Sequence, residues 1–307
     1  MQDDVAGDPV AGRRWIRRSL SSVQKALDEV GYELGRETIR RLLTDVKISL
    51  KSNVKRLTPK AHPLRDTQFT YLQRQRQAFR VAGWPIISVD TKYKELIGPF
   101  HQPGRVWCDQ APQVYMHDFP SDALLRAVPY GIYDERHHQG HVYVGVSADT
   151  AEFAVDAIAD WWSHTGAALY PDAPELLILA DGGGSNGYRS RLWKRQLQTQ
   201  LVDAFDLAVT ACHYPTGASK WNPIEHRLFS EISKTWAGTP LTSIELMLAC
   251  IRDTQTETGL TVQATLFDKT YQKGIQVSDQ QMDSLVLERH ATCPQWNYTI
   301  RPTQAGK

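Results

Sequence analysis

Apolar positions near the front of the chain recur with helical spacing. Leu20, Val23, Leu27 and Val30 fall at i, i+3, i+7 and i+10, and Gly31 supplies a stop. A second stripe, Ile39, Leu42, Leu43 and Val46, follows at i, i+3, i+4 and i+7. Its other face carries Arg36, Thr38, Arg40, Arg41 and Thr44. Two short helices across a glycine-containing turn, the second rich in arginine, predict a helix-turn-helix. ISLKSNVKRL (48–57) follows as a candidate wing. A plain amphipathic helical hairpin has the same periodicity. Residues 1–12 read as a frayed lead-in, and 66–82 predict a connector helix.

The texture changes at residue 85. PIISVD (85–90) is a buried strand, and AVPYGIYD (127–134) and HVYVGVS (141–147) form a hairpin. The stretch 96–126 between them holds four prolines and is expected to be irregular. A helix at 149–166, a strand ELLILAD (175–181), a helix at 187–205 and a strand LAVTAC (207–212) follow. Helices from Pro223 and over 242–257 complete the run. An antiparallel start followed by β-α units predicts an α/β fold with a mixed sheet flanked by helices, in ribonuclease-H-like order. The expected domains are a helix-turn-helix DNA-binding region at 13–60, a connector helix at 61–84, a ribonuclease-H-like domain at 85–260 and a C-terminal extension at 261–307.

Net charge is +1 over 307 residues, but it is unevenly spread. Residues 13–80 hold 17 Lys+Arg against 6 Asp+Glu, and residues 81–307 hold 18 against 25. A basic front suggests an anionic partner; a solvated basic face gives the same excess. Apolar runs such as LLILA (176–180) are too short to span a bilayer, and MQDDVAGDPVAG lacks the pattern of a signal peptide. Four scattered cysteines without C-x-x-C argue against a zinc knuckle or disulfide framework and suit a reducing cytoplasm.

The chemistry concentrates at three places. Gly182, Gly184 and Gly187 fit G-x-G-x-x-G, a dinucleotide signature, but the next strand ends Ala211-Cys212-His213 and supplies no ribose-binding acid. The other reading starts from Asp181, which ends a strand as Asp90 does. If the strands are neighbours, the two carboxylates share one crevice and repel unless a hard divalent cation neutralises them. Each Asp alone also reads as an ordinary strand-end turn residue. The third place is SKWNPIEHRLF (219–229), where Asn222, Pro223 and Glu225 have capping-box spacing. A helix laid across the sheet brings Glu225 over the same edge. The glycines after Asp181 leave room for a nucleic-acid backbone. Lys92, Lys94 and Lys220 are candidate phosphate contacts or plain surface lysines, and His213 and His226 are a strand-end and a helix-surface residue or proton-transfer partners.

SVDTKYKELIG, MHDFP, PYGIYD, DTAEFA, ADGGGSNGYRSRLWK, CHYPTGASKWNPIEHRLFSEI, GLTV and WNYTIRP together resemble the ISAzo-type insertion-sequence transposases, a DDE family. NPIE also recurs in mariner-like transposases. The resemblance runs from about Trp15 to Pro302. It implies Asp90, Asp181 and Glu225 as catalytic acids and metal ligands, with two Mg²⁺ (or Mn²⁺) ions, for strand cleavage and strand transfer at transposon ends. It implies double-stranded DNA as partner, terminal inverted repeats and target alike, and a homodimer or higher assembly in a bacterial cytoplasm. Arg36, Thr38, Arg40, Arg41, Lys47, Lys51, Lys92 and Lys220 are the candidate DNA contacts. Relative to the family the chain looks shortened at its front. The alternative is therefore a catalytically incompetent transposase that only binds DNA, and the third reading is a nicotinamide oxidoreductase.

Overall fold

The computed structural model describes residues 5–8 and 13–16 by their backbone, and 19–46, 48–49 and 62–303 in full. The chain divides into two compact units, Met1–Leu57 and Thr58–Lys307.

In the first unit, β1 (Val5–Asp8) pairs antiparallel with β2 (Arg13–Ile16), where a frayed lead-in was expected for the first of them. The predicted helices follow as α1 (Leu20–Asp28) and α2 (Arg36–Asp45). Ser19 caps α1 by accepting from the Ser22 N–H, whereas α2 opens at Gly35 with no side-chain cap. Val23 and Ile39 are the buried members of the two stripes, and Leu42 and Val46 are exposed. Lys47, Lys51 and the body of the expected wing lie outside the described residues.

The second unit begins with α3 (Arg65–Ala82), followed by β3 (Ile86–Thr91), β4 (Glu95–Ile97), β5 (Leu125–Asp134) and β6 (Gln139–Gly145). Helix α4 (Ala151–Trp161) continues through a π-helical turn into α5 (Ala167–Leu169) and leads to β7 (Glu175–Ala180). Helix α6 (Arg191–Gln196) runs likewise into α7 (Asp203–Phe205), then β8 (Ala208–His213). A π-helical segment, Glu225–Phe229, opens α8 (Ser230–Thr235), and α9 (Ile244–Arg252) follows. The chain closes with β9 (Thr261–Phe267), α10 (Asp279–Asp283), β10 (Leu287–Arg289) and β11 (Asn297–Ile300). Among the described residues no helix is long and apolar enough to cross a membrane.

One nine-stranded sheet runs β10-β11-β8-β7-β3-β5-β6-β9, with β4 paired to β5. Strands β3, β7 and β8 are parallel, while β3, β5 and β6 form the antiparallel start. This is the expected ribonuclease-H-like order: an antiparallel start, then β-α units. Residues 261–303 do not stand apart from it, because β9 pairs parallel with β6 and β11 pairs antiparallel with β8.

Alternation along β3 assigns its faces. Ile87 and Val89 join Ile178, Ala180, Tyr130 and Ile132 under α4 and α6. On the other face, Ile86 packs with Leu177 and Leu179 against Leu72 and Phe79 of α3. Helix α3 is further pinned by Gln68, which exchanges amide hydrogen bonds with Asn297 (2.8 and 2.7 Å), and by Arg76, which pairs with Glu135 at 2.8 Å. Ile224, Leu228 and Phe229 cover Tyr133, Val142 and Val144 on that same face.

Gly131 is the β5 partner of Asp90. A Cβ there would stand 2.5 Å from Phe229 and 2.9 Å from Ile224, so the helix bearing Glu225 seats directly on this bare stretch of backbone. Gly131→Ala should therefore destabilise the fold by about 1–3 kcal/mol through overpacking. Urea unfolding checks this, and a midpoint equal to that of the unmodified chain contradicts it.

Candidate active site

Parallel pairing of β3 with β7 ends at Val89↔Ala180, so Asp90 and Asp181 follow at matched positions on neighbouring strands. Adjacent strands lie only about 4.8 Å apart. Both residues open onto a cleft of about 920 Å³, which Asp149, Lys92, Lys94 and Trp236 also line.

Asn222 ties this edge together. It is fully buried. Its amide donates to Asp181 Oδ1 at 3.1 Å and to the Val89 carbonyl at 3.2 Å, and its oxygen accepts from Ser88 Oγ at 2.6 Å. The capping box expected here does not form, since the Asn222 side chain is turned into the sheet. A cap contributes about 1 kcal/mol. Leaving several buried polar groups unpaired costs more, at about 1–3 kcal/mol each. Three residues on, the Glu225 N–H bonds back to the Asn222 carbonyl at 3.1 Å, and Glu225 begins the π-helical segment. One residue thus links the β3 end and the Asp181 carboxylate through its side chain and the start of the Glu225 helix through its carbonyl.

Burial raises the pKa of Asp90 first, and the charge of Asp181 raises it next, with Glu225 and Asp149 adding to the effect. The Thr91 N–H, 2.8 Å from Asp90 Oδ1, acts in the opposite direction. Asp181 is raised by burial and by Glu225 and is lowered by its bond from Asn222. The three acids therefore lie within one another's electrostatic reach. Among the described residues none of them has an ion-pair partner. Among the described residues, too, no three His, Cys, Asp or Glu side chains converge closely enough to form a ready-made metal cage. The donor set is wholly oxygen, crowded and short of positive charge, which suits a hard ion such as Mg²⁺ or Mn²⁺ that keeps several non-protein ligands.

Two parts of the site escaped the sequence reading, and a third, His213, has a different role from proton transfer. Asp149, which the sequence reading placed only at the start of the 149–166 helix, is a fourth carboxylate that accepts from Thr91 Oγ1 at 3.1 Å and pairs with Lys94 at 3.5 Å. Ser185, in the glycine turn, meets the same Thr91 hydroxyl at 3.2 Å. Behind Asp181, the buried His213 donates from Nδ1 to the Asp181 carbonyl at 3.0 Å, and its Nε2 faces Tyr298 Oη at 3.1 Å. Burial holds the His213 pKa down to about 4, so the ring is neutral at pH 7 and braces the backbone instead of carrying charge. The clue to Asp149 was its place at the end of the segment after β6.

Lys92 is turned inward, bonded to Glu95 at 2.7 Å and stacked over the Trp236 ring at 4.6 Å. Lys220 is exposed, with its ammonium 5.5 Å from the Trp221 ring centre. The Lys220 carbonyl accepts from His226 Nε2 at 2.5 Å. Arg36, Arg40 and Arg41 are exposed on α2 and Thr38 is half-buried; Arg40 pairs with Glu37 at 2.6 Å. These four belong to the first unit. The dinucleotide reading loses its remaining support: only a 3-10 turn follows at Gly184–Asn186 and α6 starts at Arg191, so the glycines do not open an α-helix.

Two outcomes follow. Asn222→Ala leaves Ser88 and Val89 without their partner and frees the Asp181 carboxylate. It should cost about 2–4 kcal/mol of stability in a thermal melt, and a loss below about 0.5 kcal/mol contradicts the clamp. The second concerns pH. A carboxyl whose folded pKa is raised contributes stability that is full below the ordinary carboxylate range and is lost as pH rises through the raised value. In EDTA, Asp90→Asn should therefore raise the melting temperature at about pH 8 and leave it nearly unchanged at about pH 4. An equal shift at both pH values refutes the raised pKa.

Comparison with known proteins follows this geometry. No curated protein matches the sequence. Among solved structures, the chain is similar to a Mos1 transposase paired-end complex with left transposon end, at 15% identity and a TM-score of 0.39, covering 78% of this chain and 70% of that one. It is similar to a pre-cleavage Mos1 transpososome at 13% identity and a TM-score of 0.42, covering 78% and 70%. It is also similar to a Mos1 mariner paired-end complex with Mn, at 14% identity and a TM-score of 0.40, covering 78% and 72%. A family model described as the Rhodopirellula transposase DDE domain matches residues 1–302. The chain belongs to that family of DDE transposases.

Proposed function

We propose that the chain cuts and rejoins DNA at transposon ends, with Asp90, Asp181 and Glu225 as the acids of its catalytic centre. The observation that carries this reading is the juxtaposition at the sheet edge. Two parallel strands each deliver an aspartate, and a buried asparagine bonded to both sites also starts the helix of the third acid.

The three carboxylates would hold two Mg²⁺ or Mn²⁺ ions, which supply activation of the attacking hydroxyl and charge stabilisation at the leaving oxygen. The chain's own residues set the stage for that chemistry. Asn222 fixes the Asp181 carboxylate without adding a charge that competes with a cation. Neutral His213 holds the Asp181 backbone in place from behind. Thr91 orients Asp90 through its N–H and Asp149 through its hydroxyl, so the fourth carboxylate is kept in register with the first. Water is the first nucleophile; a DNA 3′-hydroxyl takes its place in strand transfer.

Recognition of the transposon end falls to the first unit. Arg36, Arg40 and Arg41 supply phosphate and base-edge contacts, with Thr38 beside them and Lys47 and Lys51 continuing the basic track. Lys220 adds a contact near the acids. Lys92 would reach a phosphate only by exchanging Glu95 for it. Two copies of the chain would pair two DNA ends.

The test uses duplex DNA carrying the inverted repeats that flank the gene. The full chain with Mg²⁺ or Mn²⁺ should nick it to leave a 3′-hydroxyl. Asp181→Asn should lower the rate by about three orders of magnitude or more while salt-sensitive DNA binding persists. Binding without any cutting by the unmodified chain identifies it instead as a DNA-binding protein only.

A further inference from the structure

The turn after Asp181 contains four glycines between residues 182 and 187, and the fold accounts for three of them. A Cβ on Gly182 would press on the Tyr214 carbonyl at 3.2 Å, and one on Gly187 would press on the Gly184 carbonyl at 3.2 Å. Gly184 has φ of +68°, a conformation that disfavours side chains. Gly183 is different. Its φ of −133° and ψ of −169° are ordinary extended backbone open to any residue. A Cβ built on it meets nothing within 4 Å. Neither conformation nor packing within the chain calls for glycine at this position.

The surroundings of Gly183 suggest what does. It lies two residues beyond Asp181 and lines the cleft of about 920 Å³. It also lines a second groove of about 510 Å³ on the other side of the turn, with Tyr188, Arg189, Ser190 and Ser219. The two hollows meet at Asp181, Gly183 and Gly184. Gly183 is therefore the exposed ridge between them, beside a carboxylate of the candidate centre. A bare Cα where a polymer must pass close to the main chain is a recurrent reason for glycine.

We propose that the DNA strand being cut crosses the sheet edge over Gly183. Its phosphodiester backbone runs from the cleft into the second groove in van der Waals contact with the Gly183 Cα. Glycine is kept there because any side chain would lift the scissile phosphate away from Asp181. The second groove takes the continuation of that strand, with Arg189 and the Ser190 and Ser219 hydroxyls at hand for its phosphates. This inference rests on the DNA-cutting reading above.

The test is a size series at one position, Gly183→Ala and Gly183→Val in the full chain. Each variant is melted alone and then assayed for single-turnover cleavage of the inverted-repeat duplex with Mg²⁺. The melting temperature should stay level or rise slightly, because both residues accept the backbone angles and reduce the freedom of the unfolded chain. Cleavage should fall stepwise, about tenfold for Ala and about a hundredfold or more for Val, as expected when a reacting group is displaced by roughly 1 Å. Two results overturn the proposal while leaving the DNA-cutting reading intact: cleavage at the unmodified rate by both variants, or a marked drop in the melting temperature of Gly183→Ala, which would mean that the fold itself requires the glycine. An unmodified chain that leaves the duplex uncut overturns the functional reading, and the path over Gly183 falls with it.

Discussion

Burial of carboxylates at one edge of a sheet, sharpened by the repulsion among them, is the constraint on which this structure turns. Asp90 and Asp181 leave adjacent parallel strands at matched positions, and Glu225 and Asp149 add to the same field. Two unit charges at adjacent-strand spacing repel by about 3 kcal/mol at an effective dielectric of about 20. A hydrogen bond to a charged group returns about 1.5–3 kcal/mol. The bonds from Asn222 to Asp181 and from the Thr91 N–H to Asp90 relieve much of that repulsion, while burial keeps both acids costly to ionise. Protons or a cation must take up the remainder. Burial first, and the neighbouring carboxylates next, raise the pKa values of both aspartates, and the proposed divalent ion would relieve the same imbalance.

The fold turns this unfavourable gathering into a fixed geometry. One face of the sheet is sealed by α4 and α6, and the other by α3, α8 and α9, so the strands cannot separate to relieve the repulsion. Gly131 admits the Glu225 helix close to the sheet, and the π-helical segment that opens this helix gives it a local departure from regular α geometry. π-helical turns recur at functional sites. Buried neutral groups, Asn222 and His213, do the positioning, and lysines near the cleft are matched by Glu95 and Asp149. Among the described residues, positive charge thus pairs with Glu95 and Asp149 and not with Asp90, Asp181 or Glu225.

Much of this was legible in the chain. Strand-end aspartates announce themselves because a short apolar run that stops at an acid leaves few places for it but a sheet edge. The hairpin read at 127–147 and observed over 125–145, together with the β-α alternation, gave the five central strands for similar reasons. What was hidden depended on three-dimensional neighbours. Asn222 carries perfect local cap spacing, yet polar groups on β3 and on Asp181 just past β7 compete for it and win, and no local pattern records that competition. Lys92 looks like a phosphate ligand until Glu95 and Trp236 are seen around it. β9 is an edge strand with alternating exposure, and its pairing with β6 across more than a hundred residues leaves no local trace.

The proposed cation site lies at one edge of the sheet. Anomalous diffraction from crystals of the full chain soaked in Mn²⁺ tests that most directly. The account predicts a manganese peak in contact with the carboxylates of Asp90 and Asp181, with Glu225 at its side. Saturating Mn²⁺ that leaves those carboxylates bare in an intact fold contradicts it.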